Sequence, residues 1–473
     1  MYKLRMSGSQ YAALRQHLFP GDDNEAIAFA LCGRHRHEDE ETLLVYRLEL
    51  FPHDKCLVRK PDLIVWPPTA IVHLLEECRL NGWRLLKIHC HPGGGYPEFS
   101  EVDDESDLEL SDTLTGWTNR DEAFTSAIML PGGHIFGRVV EADGRFVPLT
   151  SVLVAGDDIH LFLPANRPGL EADDDESGEV QLRTRQAFGL GTTRQLRGLR
   201  VGVVGCSGTG SIVAELLGRL GVGELVLVDH DRVEFKNLNR ILNTRSTDAE
   251  TSRYKVEVLK EALEASGTGV QVSAHPYGLH DYDAYQAIAG CDVVFGCMDS
   301  VDGRHLLNRI ATFFTQPYFD IGVRLDADGT GGIDEAMGRV DYLQPGGSSL
   351  LSRERYTLAL LQAADLARIN PPEYKRQLAE KYIRSAQVES PAVISINMSF
   401  AAQAVTELLA RLHPFRTEGN GRFAEVTFSI AGFLLERQRE GTPDAELARY
   451  VGRGTMRPLL NAPLLITNKP VGA

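Results

Sequence analysis

The chain has 473 residues, of which 43% are hydrophobic and 24% are charged, so it is long enough for two or three globular domains. Its formal net charge of −16 argues against a general nucleic-acid-binding protein, because such proteins need basic surfaces for phosphate. No apolar segment reaches the length of a membrane span, and no apolar leader follows the first residues, so neither a membrane nor secretion is expected. The seven irregularly spaced cysteines favour reduced thiols and a cytoplasmic protein.

The first third of the chain mixes strand-like and helix-like patterns. Alternating apolar residues predict strands over 42–50, 85–91, 127–130 and 135–140. Helical spacing predicts helices near 70–81 and 100–110. We therefore predict an α/β domain over residues 1–165.

Residues 89–103 read HCHPGGGYPEFSEVD and contain a dense group of potential metal ligands. His89 and His91 are two positions apart, so a β-strand would place both imidazoles on one face. Asp103 follows Ser100 with the spacing of a helix start. Two imidazoles and one carboxylate form a three-ligand zinc site with a fourth position open to water, which is typical of catalytic zinc.

Other histidines and cysteines in this third are not included in the predicted ligand set. His35 and His37 lie in a charged stretch, and we interpret this pair as solvated. Cys90 lies between the two ligand histidines, but strand alternation turns its side chain to the opposite face.

The spacing H-x-H-P-x7-S-x2-D resembles the JAMM (JAB/MPN) metalloprotease motif at every fixed position. The resemblance implies a Zn²⁺-dependent peptidase or isopeptidase in which His89, His91 and Asp103 hold the metal. It also implies an upstream glutamate that acts on the attacking water, and Glu25 lies in the matching segment. Ser100 would donate a hydrogen bond to the developing oxyanion, serve as a helix N-cap, or do both. A structural or inactive zinc site is the alternative.

An acidic segment separates this region from the rest of the chain. Residues 170–179 are nearly devoid of apolar side chains and rich in aspartate and glutamate. Such composition predicts a flexible connector, which we place at 166–182. A second domain then occupies residues 183–473.

The beginning of the second domain has the pattern of a βαβ unit. An apolar strand leads into Gly205, Gly208 and Gly210, and a helical pattern and a second strand ending at Asp229 follow. The glycines would let backbone amides approach a phosphate at the helix N-terminus, and Asp229 would hold ribose hydroxyls. This predicts a Rossmann-like, doubly wound α/β domain that binds a nucleotide, although a dehydrogenase would look similar.

The residues after the second strand favour one class of nucleotide-binding protein. Residues 229–240 resemble the D-x-D-x-V-x-x-x-N-L-x-R signature of ubiquitin-activating-enzyme-like proteins, a superfamily that includes ThiF and MoeB. Further matching segments follow at 183–186, 253–256 and 292–299, so the resemblance covers about 183–473.

This resemblance implies adenylation of a carboxylate by ATP. Arg240 and Lys255 would hold phosphate oxygens, and Asn237 would donate hydrogen bonds near the phosphates. Asp299 would hold Mg²⁺, which offsets the charge of the leaving pyrophosphate. Arg185 would reach the other subunit's site as an arginine finger, which implies a homodimer formed through this domain.

The chain departs from many such enzymes because no cysteine follows Cys297. A thioester on a late cysteine of this chain is therefore excluded, since the thiolate is the nucleophile of that step. Either the adenylate passes directly to a partner's nucleophile, or Ser349 or Ser352 forms an oxyester. A surface loop is the plainer interpretation of both serines.

Taken together, the two resemblances predict a bifunctional enzyme acting on a ubiquitin-like protein with a C-terminal glycine. Zinc-dependent cleavage of its tail, or of an isopeptide bond, would expose a carboxylate, and adenylation would activate it for a conjugating-enzyme partner. Two alternatives stay open. In one, the JAMM-like domain only binds the tail. In the other, the substrate is a sulfur carrier, a peptide or a small carboxylate.

Overall fold

The computed structural model describes residues 1–95, 97–118, 123–164, 179–383, 391–463 and 466. It divides the chain into two compact units. Unit 1 comprises Met1–Glu171, Phe313–Thr315 and Tyr450–Met456, and unit 2 comprises the remainder.

The predicted linker lies mostly outside the described residues, which resume at residue 179. The contiguous domains 1–165 and 183–473 stay predictions. They differ from the observed units because two short segments of the C-terminal half, Phe313–Thr315 and Tyr450–Met456, group with unit 1.

The strands of unit 1 are β1 Tyr2–Ser7, β2 Ile27–His37, β3 Glu40–Leu50, β4 Val58–Lys60, β5 Leu63–Val65, β6 Arg84–Cys90, β7 Phe124–Met129, β8 Ile135–Val140, β9 Phe146–Ala155 and β10 Ile159–Phe162. Its longer helices are α1 Gly8–Leu18, α2 Val72–Asn81 and α3 Glu101–Thr118. The prediction of a mixed α/β fold for this region is confirmed, whereas its assignment to the JAB/MPN family stays a prediction.

The main sheet of unit 1 has the order β1-β3-β2-β6-β7-β8-β9-β10, and β1 also pairs with β9, so the sheet closes on itself. Side chains alternate between two apolar clusters along β6. Leu86 and Ile88 lie in one cluster, and Leu85 lies in the other together with residues of α2 and α3. This alternation places His89 on the side of the sheet that faces α3.

One member of the second His-x-His pair, His35, is buried, whereas the sequence-based interpretation has both histidines solvated; His37 is partly exposed. Strand β2 extends to His37 and includes both histidines, and alternation turns His35 inward. The His35 residue is 2% exposed, and its Nδ1 lies 3.2 Å from Thr455 Oγ1. Charge in the neighbouring residues was therefore a poor guide to the burial of this ring.

The strands of unit 2 are β11 Arg200–Val204, β12 Glu224–Val228, β13 Gln271–His275, β14 Val293–Gly296, β15 Tyr318–Ala327, β16 Ile333–Leu343, β17 Glu425–Ser429 and β18 Leu434–Gln438. Its described helices are α4 Leu182–Gly198, α5 Gly208–Arg219, α6 Ser246–Glu250, α7 Lys255–Glu264, α8 Tyr282–Ala289, α9 Val301–Phe313, α10 Leu358–Ile369, α11 Pro371–Ala379, α12 Ile394–Leu412 and α13 Ala445–Ala448.

The sheet of unit 2 has the order β13-β12-β11-β14-β15-β16-β17-β18. The first five strands are parallel, and the last three continue the sheet in antiparallel fashion. Strand order reverses direction between β11 and β14, which is where ligands bind in open α/β sheets. The predicted Rossmann-like α/β architecture is thus confirmed. Among the described residues, no helix is long and apolar enough to cross a membrane.

Candidate functional site

The predicted zinc ligands of unit 1 converge. His89 and His91 come from the end of β6, and Asp103 comes from the first turn of α3. The Nε2 atoms of the two histidines are 3.1 Å apart. The Asp103 carboxylate oxygens lie 3.0 Å from His89 Nε2 and 3.5 Å from His91 Nε2.

These distances fit a tetrahedral zinc ion. Zn–N and Zn–O bonds of about 2.0–2.2 Å place ligand atoms about 3.3–3.6 Å apart, close to the spacings observed here. The Asp103 carboxylate holds the pKa of His91 above its usual value by accepting a hydrogen bond, whereas burial lowers the pKa of His89. Although burial opposes it, hydrogen bonding by both imidazoles lowers the pKa of Asp103, so an anionic ligand is available.

Glu25 lies beside this cluster. Its backbone N–H donates to Lys60 O at 2.9 Å, and its Oε1 is 4.0 Å from His91 Nε2. Burial raises the pKa of Glu25 to about 7, against the opposing charge of His91. Glu25 and the two imidazoles also lie within 4.8 Å of one another as a possible ligand group. The shorter distances from Asp103 favour Asp103 as the ligand and leave Glu25 within reach of a water molecule.

Ser100 caps the first turn of α3. Its N–H and its hydroxyl both donate to Asp103 Oδ2, at 2.8 and 2.7 Å, and the Asp103 N–H donates back to Ser100 Oγ at 3.2 Å. The predicted N-cap interaction is therefore present. The Ser100 hydroxyl is hydrogen-bonded to Asp103, and its role toward a substrate oxygen stays a prediction.

A buried ionic network that the sequence analysis missed fixes α3 against the sheet. Lys87 lies two residues before His89, on the same face of β6, and its Nζ is 2.5 Å from Asp107 Oδ1. Arg138 of β8 contacts the same carboxylate at 2.7 Å. Asp107 lies one helical turn after Asp103, so both aspartates of α3 face the sheet. The i,i+4 spacing of the two aspartates was the only sequence signal for this pair.

Cys90 points away from the ligands, as predicted. Its side chain is fully buried and donates to Leu18 O at 2.9 Å. Strand alternation thus excludes this thiol from the zinc-ligand cluster.

In unit 2, the glycine-rich loop connects β11 to α5 at the point where strand order reverses. Gly205 has φ of +87°, and its N–H donates to Val228 O at 2.9 Å. A Cβ on Gly210 would lie 1.8 Å from Gly205 O, and one on Gly208 would lie 2.5 Å from the Asn397 side-chain amide. The glycines therefore permit the loop to pack, and phosphate binding by the backbone amides at the start of α5 stays a prediction.

Asp229 braces this loop from the end of β12. Its two carboxylate oxygens accept hydrogen bonds from the backbone N–H groups of Cys206 at 2.7 Å and Asp231 at 2.8 Å. The residue is 8% exposed. A carboxylate oxygen has lone pairs beyond these two bonds, so ribose binding by Asp229 stays a prediction alongside the structural role.

The predicted phosphate-binding cations lie around the same crevice. Lys255 begins α7, and its buried Nζ is 2.7 Å from Asp231 Oδ2. Burial raises the pKa of Asp231, but the Lys255 hydrogen bond outweighs this and lowers it. Arg240 runs past Gly208, with its Cδ 3.3 Å from where a Cβ would lie. The Arg240 guanidinium donates to Lys236 O at 2.6 Å.

Asn237 and Asp299 complete the set predicted near the phosphates. Asn237 is 4% exposed, and its Oδ1 accepts from the Glu234 N–H at 3.0 Å, which leaves its amide hydrogens available. Asp299 is exposed just beyond β14, two residues after Cys297, whose N–H donates to Val204 O at 2.8 Å. Asp299 therefore lies at the same edge of the sheet as the glycine loop.

Residues 180–429, more than half of the chain, match the model of the ThiF family. The chain belongs to the ThiF family. This match covers most of unit 2 and none of residues 1–171 of unit 1.

Among similar proteins is the ubiquitin-like modifier-activating enzyme 5 of Caenorhabditis briggsae, 29% identical over 163 residues, which are 32% of this chain and 35% of that protein. The Bombyx mori enzyme of the same name is 28% identical over 166 residues, 33% of this chain and 39% of that one. The chain thus spans little more than a third of the length of these relatives. A crystal structure of E. coli MccB with ATP has a TM-score of 0.42 and 18% identity, covering 59% of this chain and 75% of MccB.

Two further predictions concern Arg185 and the serines Ser349 and Ser352 of this ThiF-family unit. Arg185 lies on α4 and is partly exposed, and its role across a dimer stays a prediction. Ser349 is 3% exposed, and its hydroxyl donates to Asp444 Oδ2 at 2.6 Å and accepts from the Ser352 N–H at 3.0 Å. Ser352 Oγ accepts from the Ser349 N–H at 2.8 Å, so both serines have a structural role in this turn.

Proposed function

We propose that unit 2 adenylates the C-terminal carboxylate of a ubiquitin-like protein or a related peptide. The observation that carries the proposal is the meeting of the glycine loop, Lys255 and Asp299 at one edge of the sheet in a ThiF-family unit. A substrate of the ubiquitin-like class is supported by the name of the curated relatives. A sulfur carrier, a short peptide or a small carboxylate is the alternative substrate.

In this reaction a carboxylate oxygen attacks the α-phosphorus of ATP. The new O–P bond forms as the bond to the bridging oxygen breaks, and pyrophosphate leaves. Arg240 and Lys255 would hold phosphate oxygens, and the amides of the glycine loop would approach them from the start of α5. Asp299 would hold Mg²⁺, which offsets the charge of the leaving group.

The acyl group then passes to another molecule. A buried, hydrogen-bonded Ser349 is a weak candidate for an oxyester, and no cysteine follows Cys297. We therefore favour direct attack on the adenylate by a nucleophile of a partner, such as a conjugating enzyme. Arg185 would act from the second subunit of a homodimer.

ATP–pyrophosphate exchange tests the adenylation step. We expect exchange to depend on a protein or peptide ending in glycine and to be lost in Asp299→Ala, because that variant lacks the carboxylate assigned to Mg²⁺. Exchange that only a small carboxylate stimulates would overturn the substrate class. Wild-type exchange activity in Asp299→Ala would show that adenylation does not require Asp299.

A second function, in unit 1, is zinc-dependent hydrolysis of a peptide or isopeptide bond at the same C-terminus. It is favoured by the convergence of His89, His91 and Asp103 at zinc-like distances next to a buried Glu25. When bound, zinc lowers the pKa of water and polarises a carbonyl. Glu25 would take the proton from the attacking water and give it to the leaving amine. Ser100 would donate to the carbonyl oxygen as its negative charge develops.

The Glu25→Gln variant tests hydrolysis. It keeps a side chain of the same size but cannot accept a proton, so we expect cleavage of a tailed precursor to fall by about 10²–10⁴-fold while bound zinc stays at the wild-type level. His89→Ala serves as the comparison, because it should lose both zinc and cleavage. A wild-type protein that binds zinc and the tail but cleaves nothing would favour a binding module instead.

A further inference from the structure

Unit 1 contains a cavity of about 620 Å³ beside the zinc-ligand cluster. Among the described residues, its walls include four phenylalanine rings and a histidine ring, namely Phe99, Phe136, Phe146, Phe162 and His134. None of the roles assigned so far uses this cavity.

The cavity is continuous with the candidate catalytic residues through two elements. Phe99 directly precedes Ser100, and Asp104, also in the wall, directly follows Asp103. On the sheet, His89 of β6 pairs with Ile128 of β7, and Ile128 pairs with Phe136 of β8. Directly paired residues share a face, and two strand spacings of about 4.8 Å place Phe136 about 10 Å from His89.

The cavity is preformed because its aromatic side chains hold one another. The rings of Phe99 and Phe136 meet edge to face with centroids 5.5 Å apart. The Arg138 guanidinium lies between Phe99 and Phe146, with its Cζ 3.8 and 3.7 Å from the two ring centroids. Such stacking fixes the wall without a ligand.

The charge of Arg138 is already neutralised within the protein. Asp107 accepts from its Nε at 3.0 Å and Nη2 at 2.7 Å, and Asp104 accepts from Nη1 at 2.5 Å. Arg138 is 6% exposed. The cavity therefore offers ring faces rather than a free arginine charge, and an acidic side chain entering it would lose hydration and would meet the carboxylates of Glu98 and Asp104 in the wall.

We propose that this cavity is a specificity pocket that receives an apolar side chain of the peptide handled by unit 1. The proposal rests on the function proposed for unit 1, as a hydrolase or as a binding module. An extended peptide advances about 3.3 Å per residue, so the residue in the pocket lies within about three positions of the bond at the zinc site. Leucine and phenylalanine have the size and polarity that the aromatic walls favour.

Peptide binding tests the pocket independently of cleavage. Fluorescein-labelled glycine–serine peptides carrying a single Phe, Ala or Asp at successive positions are titrated with zinc-loaded, full-length Glu25→Gln protein, and fluorescence anisotropy is measured. We expect the Phe peptide to bind about tenfold tighter than the Ala peptide at one or two adjacent positions. The Asp peptide should bind no better than the Ala peptide.

Variants of Phe136 connect that preference to the cavity. In the Glu25→Gln background, Phe136→Ala should remove the preference for Phe, and Phe136→Trp should invert it by filling the space. Leu80→Ala is the matched control, since Leu80 lies on α2 and is 65% exposed, and it should retain the preference. Thermal unfolding identifies a variant that fails to fold, and Phe136→Leu then replaces it.

The outcomes separate the pocket from the hydrolase. A preference that survives both Phe136→Ala and Phe136→Trp, or no preference at any position, overturns the pocket. If the wild-type protein shows the preference but cleaves none of the peptides, the pocket proposal stands and the hydrolase proposal is wrong. If the Phe and Ala peptides are cleaved at equal rates at every position, the hydrolase proposal stands and the pocket proposal is wrong.

Discussion

Two carboxyl groups beside the candidate zinc position differ in pKa because their surroundings differ. Asp103 receives hydrogen bonds from two imidazoles and from Ser100, which lower its pKa despite burial. Burial raises the pKa of Glu25 to about 7, and the nearby negative charge of Asp103 adds to that effect. Because the two pKa values are shifted in opposite directions, Asp103 is suited to bind a cation and Glu25 is suited to exchange a proton near neutral pH.

In unit 2, the lack of side chains at two glycines decides whether the loop between β11 and α5 can adopt its conformation. Gly210 has no room for a Cβ, since that atom would lie 1.8 Å from the carbonyl oxygen of Gly205. Gly205 itself has φ of +87°, a conformation that few other residues adopt without strain. The loop can therefore adopt this geometry only because Gly205 and Gly210 have no side chains.

We predict that Gly210→Ala weakens ATP binding at least about tenfold. The loop must open to avoid the steric clash, and its backbone amides would then no longer be oriented to donate hydrogen bonds to a phosphate. Isothermal titration with ATP measures the effect. Gly191→Ala, on α4, is the matched control, because a Cβ there meets nothing within 4 Å. Equal ATP affinity in Gly210→Ala and wild type would show that the loop does not bind phosphate.

Among the secondary structure elements, the pairing of β6 with α3 builds the candidate zinc site. Lys87 and His89 lie on one face of the strand, and Asp103 and Asp107 lie on one face of the helix. The buried Lys87–Asp107 ion pair therefore fixes the helix at the position where Asp103 meets His89. Arg138 of the more distant strand β8 adds a second bond to Asp107.

We predict that Asp107→Ala destabilises unit 1 by about 3–5 kcal/mol, because Lys87 would be left buried without its carboxylate and Arg138 would keep only Asp104 as an acidic partner. Zinc affinity should fall by about 10–100-fold as the helix loses its register. Urea unfolding and chelator competition measure the two effects. Asp112→Ala, at an exposed position of α3, should change neither. Wild-type zinc affinity in Asp107→Ala would show that the helix is held by other contacts.

Local patterns predicted many of the elements that carry the sites. The predicted strand 135–140 coincides with β8, the predicted helix 70–81 begins two residues before α2, and the glycine turn lies between β11 and α5 as expected. These elements have strong periodicity or glycine spacing, which local sequence contains. The helix α1 was missed, although Ser7 and Gln10 form a capping box at its start.

Contacts between distant segments could not be predicted in the same way. The closure of the first sheet depends on β1 pairing with β9, and nothing in either strand specifies its partner. Glu25 reaches the histidines because Ile27 of β2 pairs with His89 of β6. Its placement from sequence therefore depended on resemblance. The partners of Asp107 and the aromatic cavity likewise join residues far apart along the chain.

For the whole molecule, the activities proposed for the two units act in succession on one chemical group, the C-terminal carboxylate of a peptide. Unit 1 would release a carboxylate at the end of a peptide, and unit 2 would activate a carboxylate with ATP. If both proposed activities are present, their attachment to one chain would raise the effective concentration of each site for the product of the other. Membership of the ThiF family supports the second operation, and the geometry of the zinc-ligand cluster supports the first.

The central claim is that the chain joins a peptide carboxylate to the α-phosphate of ATP, and an isotope measurement tests it most directly. The full-length protein is given ATP, hydroxylamine as acyl acceptor, and a glycine-ended peptide whose C-terminal oxygens are heavy isotopes. Mass spectrometry then follows the label. We predict AMP that carries one heavy oxygen for each peptide hydroxamate formed. Heavy oxygen in inorganic phosphate together with ADP, or unlabelled AMP, would contradict the account.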